Sequence, residues 1–321
     1  MVESFETLIS YWVKSPSPLR WNCIFVLPPW LEIWWREFGS IGDLYLYAAR
    51  QRGALVGIAP LFLKGEEACF IGSDDVCDCL DFIVAPEREH DFFNILLDDL
   101  SKKGINLLKL RALRPNSTVL TYLVGIARDR GYEVSCALED VSLELDLPPT
   151  WEEYLGMLSQ KQHHEVRRKL RRIREAGEVN YRTIEDSGDV PDAMDIFLKL
   201  FRKSKADKAA FMNAQRESFF KSLAKAMAQA QLLRLGILEL DALPIAVVMC
   251  FDYNDTVYLY NSGYDPTYGS LSVGLISKIL SIKDSIGRGR RKFDFLKGAE
   301  DYKYRLGGKE IPLHSCQIRL K

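Results

Sequence analysis

The sequence predicts a mixed α/β (α+β) protein of two tandem domains that share one plan. In each, a mixed sheet holds an antiparallel meander followed by a strand–helix–strand crossover. Three observations carry this expectation. Strand-length apolar runs occur in two sets of three, each set joined by two short turns. A loop, a helical pattern and one further strand follow each set. Between them lies Leu147-Pro148-Pro149-Thr150, a natural boundary that divides the chain into domains 1–147 and 148–321.

In the first set, Asp43 to Arg50 is strand-like, Arg52-Gly53 turns, and Ala54 to Leu63 returns. Lys64-Gly65 turns again, and Ala68 to Ile71 completes the meander. A helix over Glu87 to Lys102 and a strand over Ile105 to Ala112 follow. In the second set the strands are Leu232 to Leu240, Pro244 to Asp252 and Thr256 to Ser262, with turns at Asp241-Ala242 and Asn254-Asp255. A helix over Leu271 to Ile286 and a strand over Phe293 to Leu296 complete the copy. A strand joined through a helix to the next strand predicts a right-handed crossover within a partly parallel sheet.

After the boundary, Thr150 and Glu153 form a capping box that starts a helix. A basic helix, SQKQHHEVRRKLRRIREAG, comes next. Val166, Leu170 and Ile173 recur at i, i+4 and i+7 as one narrow apolar stripe. Lys161, Arg167, Arg168, Lys169, Arg171, Arg172 and Arg174 cover the other faces, and Gly177 is a stop. Further helices are expected over Pro191 to Lys205 and Ala214 to Gln231.

The chain has 321 residues, of which 43 are Lys or Arg and 44 Asp or Glu, so no whole-protein electrostatic grip on nucleic acid is expected. A local basic patch stays open. The N-terminal stretch lacks the apolar core of a signal peptide, and the most apolar run, Leu243 to Phe251, is too short to span a bilayer. These features point to a cytoplasmic protein without a transmembrane segment. Seven cysteines, odd in number and mostly within apolar runs, are expected as reduced, buried thiols. Cys77-Asp78-Cys79 has no histidine at ligand spacing, so no metal is expected.

Three stretches could carry chemistry. Gly263 to Gly274 holds three glycines and two serines and runs into a helix N-terminus, where backbone N–H groups and the helix dipole favour a phosphate. An ordinary strand-to-helix connection would look the same. The equivalent first-copy loop, Ser73 to Asp81, carries four aspartates and would repel a phosphate. The basic helix could be a solvated face, hold an anionic substrate, or touch RNA. In FDFLKGAEDYKYRLGG, Asp294 needs a partner if it is buried. Lys303 or Arg305 could supply a structural salt bridge, or all three could flank a ligand at a strand's C-terminal end.

Together these residues resemble CelD/BcsL-type acetyltransferase-like proteins of the GNAT (Gcn5-related N-acetyltransferase) superfamily, relatives of the Fem-type aminoacyltransferases. The likeness spans nearly the whole chain. It runs through Pro28-Pro29-Trp30, Gly57-Ile58-Ala59-Pro60-Leu61, the Gly72 to Asp81 loop, the basic helix and the closing Phe-Asp-Phe-Leu-x-Gly-x-x-x-Tyr-Lys. It implies two GNAT-like domains, the first without a donor phosphate site. It also implies an acyl-CoA-dependent N- or O-acyltransferase with no metal, which moves an acyl group, acetyl above all, to an amine or hydroxyl. The acceptor would be a sugar, cell-envelope or exopolysaccharide precursor.

On that resemblance the donor, acetyl-CoA or another acyl-CoA, would meet Asn261, Gly263, Gly269, Ser270, Leu271, Ser272 and Gly274. Asp294, Asp81 or Tyr264 would accept a proton. Lys303, Arg305, Tyr302, Lys161 and Arg168 would hold the substrate. The loop lacks the Gln/Arg that leads the GNAT phosphate pattern. That departure keeps a non-catalytic GNAT-fold binding protein as one alternative; the other is a Fem-like aminoacyltransferase using aminoacyl-tRNA, which would need the basic helix for tRNA.

Overall fold

The computed structural model describes residues 3–14, 18–72 and 75–320, so Ser73 and Asp74 of the acidic loop lie outside the described residues. The chain divides into two compact units, Met1–Val141 with Ile311–Lys321, and Ser142–Glu310. The expected boundary after residue 147 falls a few residues past this division, and the last strand returns to the first unit. That return depends on pairing between segments about 200 residues apart, which local sequence patterns do not reveal.

The first unit contains helices α1 (Phe5–Val13) and α2 (Pro28–Phe38) and the strands β1 (Asp43–Gln51), β2 (Ala54–Lys64), β3 (Glu67–Phe70) and β4 (Ile83–Val84). Helix α3 (Glu89–Lys102), β5 (Leu107–Leu113), α4 (Val124–Asp129) and β6 (Glu133–Asp146) follow. The second unit, entered within β6, contains α5 (Trp151–Met157), α6 (Gln160–Ala176), β7 (Val179–Ile184), α7 (Val190–Ser204), α8 (Ala206–Phe211) and α9 (Ala214–Gln229). Then come β8 (Leu233–Leu240), β9 (Leu243–Tyr253), β10 (Thr256–Tyr264), α10 (Val273–Gly287), β11 (Lys292–Lys297), α11 (Asp301–Arg305) and β12 (Lys309–Arg319).

Both meanders form as expected. In the first unit the strand order is β1-β2-β3-β5-β12, with β4 on β2; β3 and β5 are parallel, and α3 lies between them in sequence. In the second unit the end of β6 is followed by β11-β10-β9-β8-β7; β10 and β11 are parallel and α10 connects them. Three of the four meander turns have both central residues at positive φ, Arg52-Gly53, Asp241-Ala242 and Asn254-Asp255, and in the fourth only Gly65 does. The paired positive φ matches the right-handed twist of the flanking strands. Strands β4, β6, β7 and β12 go beyond what the sequence patterns foretold.

One cysteine expectation needs correction. Cys136 on β6 and Cys316 on β12, both in the first unit, are joined by a disulfide, with Cα atoms 4.2 Å apart. Pairing across a sequence separation of 180 residues was invisible without the sheet order. The five other cysteines are outside any disulfide, as thiols.

Candidate functional site

In the second unit β10 and β11 pair only from Thr256/Lys292 to Tyr258/Asp294, and β10 shifts register against β9 around Tyr260. Beyond that point the end of β10, the start of α10, α8 and the segment around α11 enclose a cavity of about 370 Å³. Strand β10 contributes Ser262 and Tyr264 to its wall. Gly263, between them, faces α7: a Cβ there would come within 2.4 Å of the Phe201 backbone nitrogen. Helix α7 thus packs on β10 at a point where only glycine fits.

The strand-to-helix connection forms the second wall. Asp265 accepts bonds from the Thr267 N–H at 3.0 Å and the Thr267 hydroxyl at 2.8 Å, and Lys203 Nζ lies 2.6 Å from its other oxygen. Burial alone would raise the Asp265 carboxyl, but Lys203 and Thr267 outweigh it and hold it below the ordinary carboxylate range. A 3₁₀ turn over Pro266–Leu271 follows, so α10 begins at Val273, two residues later than the sequence suggested. Ser272 links them in a left-handed conformation (φ 60°), and Lys169 of the basic helix donates to its hydroxyl at 2.9 Å. No side chain caps α10, its first turn carries no acid, and Val273, Gly274 and Leu275 line the cavity. A helix start of this kind leaves N–H donors and a positive pole for an anion.

Amines supply the third wall. Lys278, one turn into α10, is 7% exposed. Its Nζ donates to the Gly274 carbonyl at 2.8 Å and lies 5.0 Å from the centre of the Tyr302 ring. Burial, and then the neighbouring Lys208, pull its pKa down to about 7. Lys208 on α8 donates to the Ser262 carbonyl and lies 4.7 Å from the Phe201 ring centre. Burial, then Lys205, lower its pKa to about 8. Among the lining residues the one carboxylate is Glu300, 2.9 Å from Lys303 Nζ. Burial pushes the Tyr302 hydroxyl upward. The cavity is therefore cationic: three lysines and a helix N-terminus face one acid that is already paired.

Of the residues expected from sequence, Tyr264, Gly269, Ser272, Gly274 and Tyr302 meet in this cavity. Ser270 and Leu271 belong to the adjoining 3₁₀ turn, and Asn261 to β10, outside the lining. Asp294 is fully buried and accepts from the Leu296 N–H at 2.8 Å and the Ser142 hydroxyl at 3.3 Å. It braces the point where β11 bulges against β6 and Leu296 takes a positive φ. Lys303, expected as a substrate ligand, is 2% exposed. Its ammonium donates to the carbonyls of Leu296, Lys297 and Gly298 at 3.0, 2.6 and 3.0 Å. With Glu300 also 2.9 Å away, its three protons are shared among four acceptors of its own segment, so it locks the turn after β11 and has none left for a substrate.

Arg305 is exposed and pairs with Asp301; Arg168 is exposed and pairs with Glu165; Lys161 is exposed on α6. None of the three lines the cavity. Asp81 belongs to the first unit, where it accepts from the Thr118 hydroxyl at 2.6 Å and the Thr118 N–H at 2.9 Å. Burial raises its pKa to about 6 against those bonds. The sequence reading missed Lys205, Lys208, Lys278, Ser262 and Glu300. Only Lys278 carried a signal, a lone cation between Ile276 and Ile279 on an apolar helix face.

Residues 160–304 match the family model described as an acetyltransferase (GNAT) domain, a span that includes every residue lining the cavity. Several solved structures share the fold along most of the chain. FemX is 10% identical, with 98% of this chain and 96% of that one covered and a TM-score of 0.64. A conserved protein of unknown function from Bacteroides thetaiotaomicron is 14% identical, with 99% and 98% covered and a TM-score of 0.63. L-PGS from Bacillus licheniformis is 10% identical, with 91% and 90% covered and a TM-score of 0.54. At these identities the likeness shows the fold alone. No curated protein matches the sequence. The mixed α/β class is borne out, and within it residues 160–304 match a GNAT acetyltransferase domain. Among the described residues, no helix is long and apolar enough to cross a membrane.

Proposed function

We propose that the protein is an acyl-CoA-dependent N- or O-acyltransferase of the CelD/BcsL type. It moves an acyl group, acetyl above all, to an amine or hydroxyl of a sugar, cell-envelope or exopolysaccharide precursor in the cytoplasm. The observation that carries this reading is the cationic cavity at the uncapped start of α10, within the span that matches an acetyltransferase domain. The pyrophosphate of the donor lies against Gly269, Ser272 and Gly274, with Lys205 and Lys208 balancing its charge. The acceptor attacks the thioester carbonyl, and Tyr264 is the one expected proton acceptor that lines the cavity. Asp294 acts by holding β11 in place.

A second reading, a Fem-like aminoacyltransferase drawing on aminoacyl-tRNA, is favoured by the full-length likeness to FemX and by the exposed cations of α6. Calorimetric titration with CoA, acetyl-CoA and longer acyl-CoAs separates the two. Binding that Gly269→Asp abolishes supports the acyl-CoA reading. No CoA binding, with salt-sensitive tRNA binding that fails when Arg168 and Arg172 become alanine, replaces it with the second.

A further inference from the structure

We infer that Lys278 is a nucleophilic lysine that is itself acylated by small acyl thioesters entering the cavity. The inference deepens the proposed function and rests on it for the identity of the thioester. Three features of the site converge on this side chain. Its amine opens on a cavity large enough for an acyl thioester arm, and the uncapped start of α10 lines the same cavity beside it. One N–H is bonded to the Gly274 carbonyl at 2.8 Å, which holds the nitrogen against the cavity wall beside the Tyr302 ring. Its surroundings also disfavour the ammonium form. It is buried at 7% exposure, and Lys205 and Lys208 face it from around α8. Cys250 on β9 and Glu300 before α11 are the neighbours whose charge would act the other way. A desolvated lysine beside another cation is a recognised route to a nucleophilic amine, and the depressed pKa of about 7 agrees with it.

In the step itself, the Lys278 nitrogen lone pair attacks the thioester carbonyl. A C–N bond forms and the C–S bond breaks. The sulfur leaves as a thiol with the proton that the amine sheds, and an Nε-acyl-lysine remains. No oxidant, reductant or further reactant enters the balance. The amide can no longer carry charge, and its acyl group occupies the space a second donor would need, so the modified protein is blocked at its own donor site.

The test incubates the protein at about pH 8 with acetyl-CoA or with S-acetyl-N-acetylcysteamine, a small thioester without the nucleotide. Acetylated lysines are located by peptide mass mapping, and CoA affinity is measured separately by calorimetry. Acetylation of Lys278 is expected to exceed that of the exposed Lys199 and Lys225 by roughly tenfold or more. The rate should fall as pH drops through about 7, where the amine protonates. Lys278→Met, a near-isosteric change, should lose this label alone. Faster labelling by acetyl-CoA supports both the nucleophile and the donor reading. Equal labelling by the two thioesters without CoA binding keeps the nucleophile and removes the donor reading. If Lys278 reacts no faster than Lys199 with either reagent, the inference is overturned, even where calorimetry records CoA binding.

Discussion

The strand-to-helix passages of the two units carry the same topology and opposite chemistry. In the first unit, α3 carries Glu89 and Asp91 in its opening turn, and Arg88 pairs with Asp91 at 2.8 Å. The positive pole of that helix is thus met by its own carboxylates. Asp81, at the end of the acidic loop, turns inward and binds Thr118. In the second unit α10 has no acid in its first turn and no cap, and lysines surround its start. One backbone plan therefore carries a helix start met by its own acids in one unit and an uncapped, lysine-lined helix start in the other. A few side chains at the helix start make the difference.

The largest expected effect tests what is structural in the second unit rather than its site. Lys303→Met strips three carbonyls of their shared donor and leaves Glu300 unpaired, and should destabilise by about 4 kcal/mol in a denaturant titration. If it instead weakened CoA binding with stability intact, the assignment of Lys303 to the fold would fall. Next, Gly269→Asp gives the second unit the acid of the first. No atom stands within 4 Å of a Cβ at Gly269, so the change acts through charge. CoA affinity should drop by roughly 100-fold, the size of a like-charge contact near a protein surface. Gly269→Ala should bind as the parent does. Gly263→Ala drives a methyl into the α7 backbone and should cost about 2 kcal/mol, read from the shift of the denaturation midpoint.

Smaller effects separate the units by pH. Asp81 has a folded-state pKa of about 6, above its unfolded value near 3.8, so its contribution is present at low pH and lost as pH rises through about 6. Asp81→Asn should flatten stability between about pH 4 and 6. Lys278 and Lys208 run the other way, with folded values of about 7 and 8 below an unfolded value of 10.5. Between those limits the unfolded chain binds more protons, so stability rises with pH across that window. Lys278→Met should remove most of the rise, and equal slopes in parent and variant would contradict the depressed amine. Smallest of all, Arg168→Ala breaks only a solvated pair with Glu165 and should leave the denaturation midpoint unchanged.

Much of the fold was legible because it is local. The alternating strands of both meanders, the paired turn residues at 52–53, 241–242 and 254–255, and the apolar stripe of α6 are each settled within a dozen residues. Strands β6 and β12 were not, since their partners lie far off in sequence. At the site, the Gly/Ser connection into α10 was visible, and Tyr302 came with the closing motif. Lys205 and Lys208 gave no signal, because lysines in a polar helix look solvated until α8 is seen beside the end of β10.

From the sequence alone came the strand count of each meander, the crossover helices, the acid-rich connection of one copy and the acid-poor connection of the other. Those follow from hydrophobic period, turn chemistry and the charge of adjacent residues. The tertiary structure alone decided what Asp294 and Lys303 do, because a carboxylate or an ammonium takes its role from whichever donors and acceptors surround it once water is gone. In this protein Asp294 meets a backbone N–H and a serine, and Lys303 meets three carbonyls. The closing motif thus shapes the cavity, and the cations that line it come from α8 and α10.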